Sequence, residues 1–146
     1  MTNERHRDFD FWIGEWEVSD PEGELVGRNR IARVFGEIGL SEHWEGAGGL
    51  LGTSLNLFSE ARGQWHQTWI DSSGTLLQLD GGLRDGAMVL EGTTPGREDP
   101  GVTVQHRISW STVDGNTDLV RQHWQVSRDA GSTWETLFDG RYRRIR

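Results

Sequence analysis

The feature that most limits the fold of this chain is its punctuation. Short clusters of Gly, Asp and Ser recur at roughly the 8–12-residue spacing of antiparallel β meanders. Between them lie ten blocks of strand length, 15–20, 25–35, 39–47, 51–59, 64–70, 75–82, 86–93, 102–111, 117–127 and 133–144. The separators at 36–39, 61–63, 71–74, 84–86, 114–115 and 129–131 are brief. The one longer link, 94–101, holds two prolines and is expected to form a rim or lid. No helical period intervenes, which removes βαβ architectures. A meander of this length without covering helices loses its exposed edges by closing on itself. The expected fold is therefore all-β: an antiparallel up-and-down β-barrel of about ten strands, with a sandwich as the fallback. Phe9, Phe11, Trp12, Ile13 and Trp16 read as a short helical or extended plug for one end. Residues 1–8 are polar and expected to fray. A single domain spanning 1–146 follows from the length.

Composition agrees. A hydrophobic content of 34% and 20 glycines suit a barrel with a polar lumen better than a helical bundle. The net charge of −8 argues against nucleic acid or an anionic membrane as partner. Cysteine is absent, which excludes disulfides, thiol nucleophiles and thiolate metal sites. With no apolar opening segment to act as a signal peptide, the expected location is cytoplasmic.

Side-chain alternation sorts the strands into faces. Trp65, Gln67 and Trp69 share one face, and their ring area favours it as the lumen. Leu40, Glu42 and Trp44 form a second inward row, and Asn56 is a further polar candidate. The Asp114-Gly115 hairpin signal, taken as a two-residue turn, sets His106 opposite His123 and Arg107 opposite Gln122. Either face of that ribbon could be interior. One choice places Arg107, Gln122 and Trp124 in the lumen.

Ser127, Asp129, Gly131, Thr133 and Trp134 resemble an Asp-box hairpin, a structural motif in which the Asp accepts backbone N–H bonds. Four histidines lie in strands, but no H-x-H or H-E-x-x-H spacing exists. No metal is expected, His106 and His123 being the only pair that the assumed register brings together. Glu42 is the candidate acid or base, since a carboxyl in a tryptophan-lined lumen has a raised pKa. Arg107 is the candidate oxyanion stabiliser. There is no phosphate loop, G-x-S-x-G elbow or adjacent acidic pair.

The order of Phe9–Trp16, Gly52–Asn56, Trp65–Asp71, Arg107–Trp110, Val120–Gln122, Ser127–Trp134 and Tyr142-Arg143 resembles a bacterial family catalogued as domain of unknown function 1579. The resemblance implies a lipocalin-like or calycin-like barrel. The layout is also similar to nitrobindin and fatty-acid-binding barrels. The nitrobindin likeness implies haem held by a histidine near the C-terminus. None follows His123 here, so no cofactor is expected. The fatty-acid carriers imply Arg107 and Tyr142 as carboxylate anchors.

These readings lead to a small-molecule-binding barrel for an aromatic or amphipathic ligand bearing a carboxylate or carbonyl. Its site would comprise Trp44, Trp65, Gln67, Trp69, Arg107, Gln122, Trp124 and Tyr142. One alternative is a cofactor-free isomerase, cyclase or lyase using Glu42. Another is a homo-oligomeric structural or interaction domain, with a homodimer as its simplest form.

Overall fold

The computed structural model describes residues 3–146. Ten strands form one closed antiparallel barrel in which each strand pairs with its neighbours in sequence, and β1 pairs with β10 to complete the ring. They are β1 (Gly14–Ser19), β2 (Leu25–Val34), β3 (Gly39–Gly46), β4 (Leu51–Ser59), β5 (Gln64–Asp71), β6 (Leu76–Arg84), β7 (Ala87–Pro95), β8 (Thr103–Val113), β9 (Asn116–Ser127) and β10 (Glu135–Arg144). The turns follow the Gly, Asp and Ser punctuation. Asp114 and Gly115 both take positive φ, as the tight β8–β9 hairpin requires.

The register beyond that hairpin differs from a simple ladder. Val113 pairs with Asn116, but Thr112 pairs with Val120, so the ladder shifts by three residues on β9. An odd shift exchanges the two faces of β9. His106 therefore lies opposite Val126, Ile108 opposite Trp124, and Trp110 opposite Gln122. The expected His106–His123 pairing is corrected. His106 points inward, whereas His123 reaches Thr136 on the outer surface at 2.9 Å.

The N-terminal segment closes one end of the barrel. Two 3-10 turns, Glu4–Arg7 and Asp10–Trp12, lead into β1. Phe9 is fully buried, stacked on Trp12 and edge-on to Trp65 and Trp110. The Trp65 indole donates to the Arg5 carbonyl at 3.1 Å, and Arg33 of β2 pairs with Asp10. Fraying was the expectation for residues 1–8. Residues 3–8 form a capped turn, with Asn3 accepting from the Arg5 amide and His6 buried against Phe58. Residues 1–2 lie outside the described residues. Each strand has an inner row and an outer row, and the inner rows with the plug make one core from Phe9 and Trp12 through Leu79, Leu90 and Val120. The opposite end carries the links 20–24, 47–50, 72–75, 96–102 and 128–134. The proline-bearing link expected as a rim is among them.

Candidate functional site

The barrel holds a cavity of about 160 Å³ toward its open end. Trp44, Trp69, Trp124 and Phe138 surround the mouth with Leu50, while Leu77 and Ile108 line it with apolar surface. Glu42, Gln67, Gln122 and Tyr142 supply the inner polar groups, and Asp71 stands at the end of β5.

Glycines seat three of the four rings. A Cβ on Gly27 would lie 2.4 Å from the Trp44 ring, one on Gly52 2.2 Å from the Trp69 ring, and one on Gly140 2.6 Å from the Phe138 ring. The rings lie back into recesses in the wall, which leaves the lumen open. Trp44 and Phe138 also meet edge to face at 5.9 Å. The fourth ring is held by hydrogen bonding. Trp124 Nε1 donates to His106 Nδ1 at 3.1 Å, and His106 Nε2 lies 2.7 Å from Thr94 Oγ1. Nδ1 accepts, so Nε2 carries the proton and donates to Thr94. Burial and the charge of Arg128 lower the His106 pKa and keep the ring neutral.

A buried polar network crosses six strands and converges on Glu42. Ser54 Oγ donates to Glu42 Oε1 at 2.6 Å, and Asn29 Nδ2 donates to Oε2 at 2.7 Å. Asn29 Nδ2 also donates to the Tyr142 hydroxyl at 2.9 Å, which donates to Gln122 Oε1 at 2.6 Å. On the other side, Gln67 Nε2 donates to Asn56 Oδ1 at 2.8 Å, and Asn56 Nδ2 donates to Ser54 Oγ at 2.9 Å. The Asn29 amide is turned so that its NH₂ serves both Glu42 and Tyr142, leaving Asn29 Oδ1 buried without a partner among the described residues.

Among the described residues no Arg, Lys or His lines the cavity. Burial pushes the Glu42 carboxyl up to about 7, against the pull of its bonds from Ser54 and Asn29. Burial and the neighbouring Glu42 charge raise the Tyr142 hydroxyl well above its ordinary range. Asp71 behaves differently. Partial burial raises it, but bonds from Ser73, Trp69 and Thr75 outweigh that and hold it below the usual carboxylate range. The site thus has one inner carboxyl poised near neutrality and one ionised carboxylate at the mouth.

Of the residues expected at the site, Trp44, Gln67, Trp69, Gln122, Trp124, Tyr142 and Glu42 line this cavity. Trp65 points inward but is covered by Phe9 at the plugged end. Arg107 is the main correction. Inward Val104, His106, Ile108 and Trp110 alternate with it, so it projects outward, bonded to Glu91 at 3.1 Å and lying 4.2 Å over the Trp134 ring. It can neither anchor a ligand nor stabilise an oxyanion in the lumen. Among the described residues no group of three or more His, Cys, Asp or Glu is placed to hold a metal. Ser127 at the end of β9, with Asp129, Gly131 and Thr133 of the β9–β10 link, forms one bonded turn. Asp129 accepts from the Thr133 amide at 2.8 Å and its hydroxyl, and Ser127 Oγ accepts from the Gly131 amide at 2.9 Å.

Asn29, Ser54 and Phe138 were not expected. Asn29 had a readable signal, because Arg28 and Arg30 flank it and Gly27, Asn29 and Ile31 form the alternate row.

The chain matches no protein-family model and no curated protein. Its closed ten-stranded antiparallel barrel is consistent with a calycin-like or lipocalin-like fold in general.

Proposed function

We propose that this protein binds a small molecule in the open end of the barrel, taking it ring-first among Trp44, Trp69, Trp124 and Phe138. The observation that carries this reading is a cavity with aromatic walls and a converged polar floor, closed at one end by the plug. Its volume of about 160 Å³ is close to the roughly 150 Å³ of an apolar cavity known to take benzene and below the roughly 300 Å³ at which drug-sized sites begin. The ligand is therefore one ring or its aliphatic equivalent, not a long-chain fatty acid. A carbonyl could meet Gln122 Nε2, which makes no hydrogen bond among the described residues. A carboxylate finds no cation in the lumen, because Arg107 is outside. The motif order resembling the domain-of-unknown-function 1579 family is in keeping with such a barrel.

The test is a titration of intrinsic tryptophan fluorescence with single-ring amphiphiles of differing head group. Saturable quenching lost in Trp124→Ala is expected. A flat response across the panel would remove this reading.

A second reading is favoured by one observation, the burial of Glu42 beside the cavity, which pushes its carboxyl up to about 7. It is a cofactor-free isomerase, cyclase or lyase in which Glu42 moves a proton. Turnover that survives in Glu42→Gln would remove it.

A further inference from the structure

We propose that the ligand is an organic cation, a protonated amine on a single-ring body, with its ammonium against Glu42 and its ring among the mouth aromatics. This rests on the small-molecule reading above and narrows it.

The charge pattern of the cavity carries the inference. Among the described residues two carboxyl groups line it, Glu42 and Asp71, and no Arg, Lys or His does. Of the basic residues near the open end, Arg107 bonds Glu91 and Arg128 pairs with Glu135, while Arg97 is exposed on the 96–102 link and lines a different pocket. Each Glu42 oxygen accepts one hydrogen bond from the protein, which leaves a lone pair on each for a ligand donor. Gln67 Oε1 makes no hydrogen bond among the described residues and is a further acceptor. Ring faces are negative and attract cations most strongly where water is excluded. An anionic ligand would face two carboxylates and nothing positive. A neutral ring would leave the buried carboxyl without a countercharge. An ammonium satisfies the open acceptors, the rings and the missing countercharge together.

The groups facing Glu42 from the strands around it are Asn29 of β2, Ser54 of β4, Gln67 and Asp71 of β5, Gln122 of β9 and Tyr142 of β10. Only Asp71 and Tyr142 among them titrate. Asp71 stays ionised and Tyr142 neutral through the neutral range. None of these neighbours changes charge near neutrality, and His106, which holds Trp124, has its pKa lowered by burial and gains charge only toward the acid end, so a change in binding near neutrality is assigned to Glu42 itself. Seating a cation favours its carboxylate, so near pH 7 the protein releases a proton to solvent as the ligand enters.

The experiment is titration calorimetry of the full chain with benzylamine, benzyl alcohol and benzoate, from about pH 8 down to about pH 5.5, in buffers of differing ionisation enthalpy. Benzylamine is expected to bind about tenfold tighter than benzyl alcohol at the upper pH, with benzoate weakest. That preference should shrink as the pH falls, with proton release near neutrality. Glu42→Gln should lower benzylamine affinity about tenfold and change benzyl alcohol by no more than about twofold. Should that variant fail to fold, the wild-type pH series decides alone. Saturable binding in which benzyl alcohol or benzoate equals benzylamine would overturn the cation while leaving the small-molecule reading intact. No saturable binding of any of the three would overturn both.

Discussion

Glu42 gives the protein a stability that depends on pH in a calculable direction. Its carboxyl titrates at about 7 in the fold against an ordinary 4.5. The native state thus holds that proton more tightly than the unfolded chain does. The contribution is fully present below about pH 4.5 and is lost as the pH rises through 7, with a total on the order of 3 kcal/mol. His106 and His123, both lowered chiefly by burial, act in the opposite sense, so Glu42→Gln is the proper reference. The Tm difference between wild type and Glu42→Gln should move against wild type from pH 5 to pH 8, and a constant difference would contradict the assignment. Arg107→Ala should leave ligand affinity unchanged and cost under about 1 kcal/mol, since its bond to Glu91 is solvent-exposed. Calorimetric titration and chemical denaturation read these two quantities.

At the scale of elements, turn chemistry and alternation made most of the barrel readable. The ten expected blocks match the ten strands to within a few residues at each end. The β8–β9 pairing was not readable, because Asp114-Gly115 sets the turn but nothing marks the three-residue shift beyond it. β4 misleads for a different reason. Leu51, Leu55 and Leu57 face solvent, while Ser54 and Asn56 face the lumen. A hydrophobic reading would turn this strand over; its inward face carries buried Phe58 together with Ser54, which bonds Glu42, and Asn56, which bonds Ser54. The plug is structural support for the barrel. Phe9→Ala should cost about 3–5 kcal/mol in denaturant unfolding, the range for emptying a buried aromatic site. At the mouth, Gly52→Ala should drive the Trp69 ring from its recess. The expected signs are a shifted tryptophan emission and weaker ligand binding, and unchanged emission would show that the recess is not needed. In the β9–β10 link, Thr133 holds the Asp129 carboxyl down to about 2. Asp129→Ala should therefore speed amide exchange at Thr133 while the core amides stay protected.

For the molecule as a whole, the plug makes the barrel a vessel with one opening. Phe9 and Trp12 fill the far end, and the cavity reaches solvent on the side of the links between β1 and β2, β3 and β4, β5 and β6, β7 and β8, and β9 and β10. Whatever enters must leave by the same route, so entry and exit share one transition state. A change at the mouth that never touches the seated molecule should slow or speed both rates by the same factor. Stopped-flow traces would then show a changed residence time at constant Kd. In such a barrel, how tightly a molecule is held and how long it stays can be set by different residues.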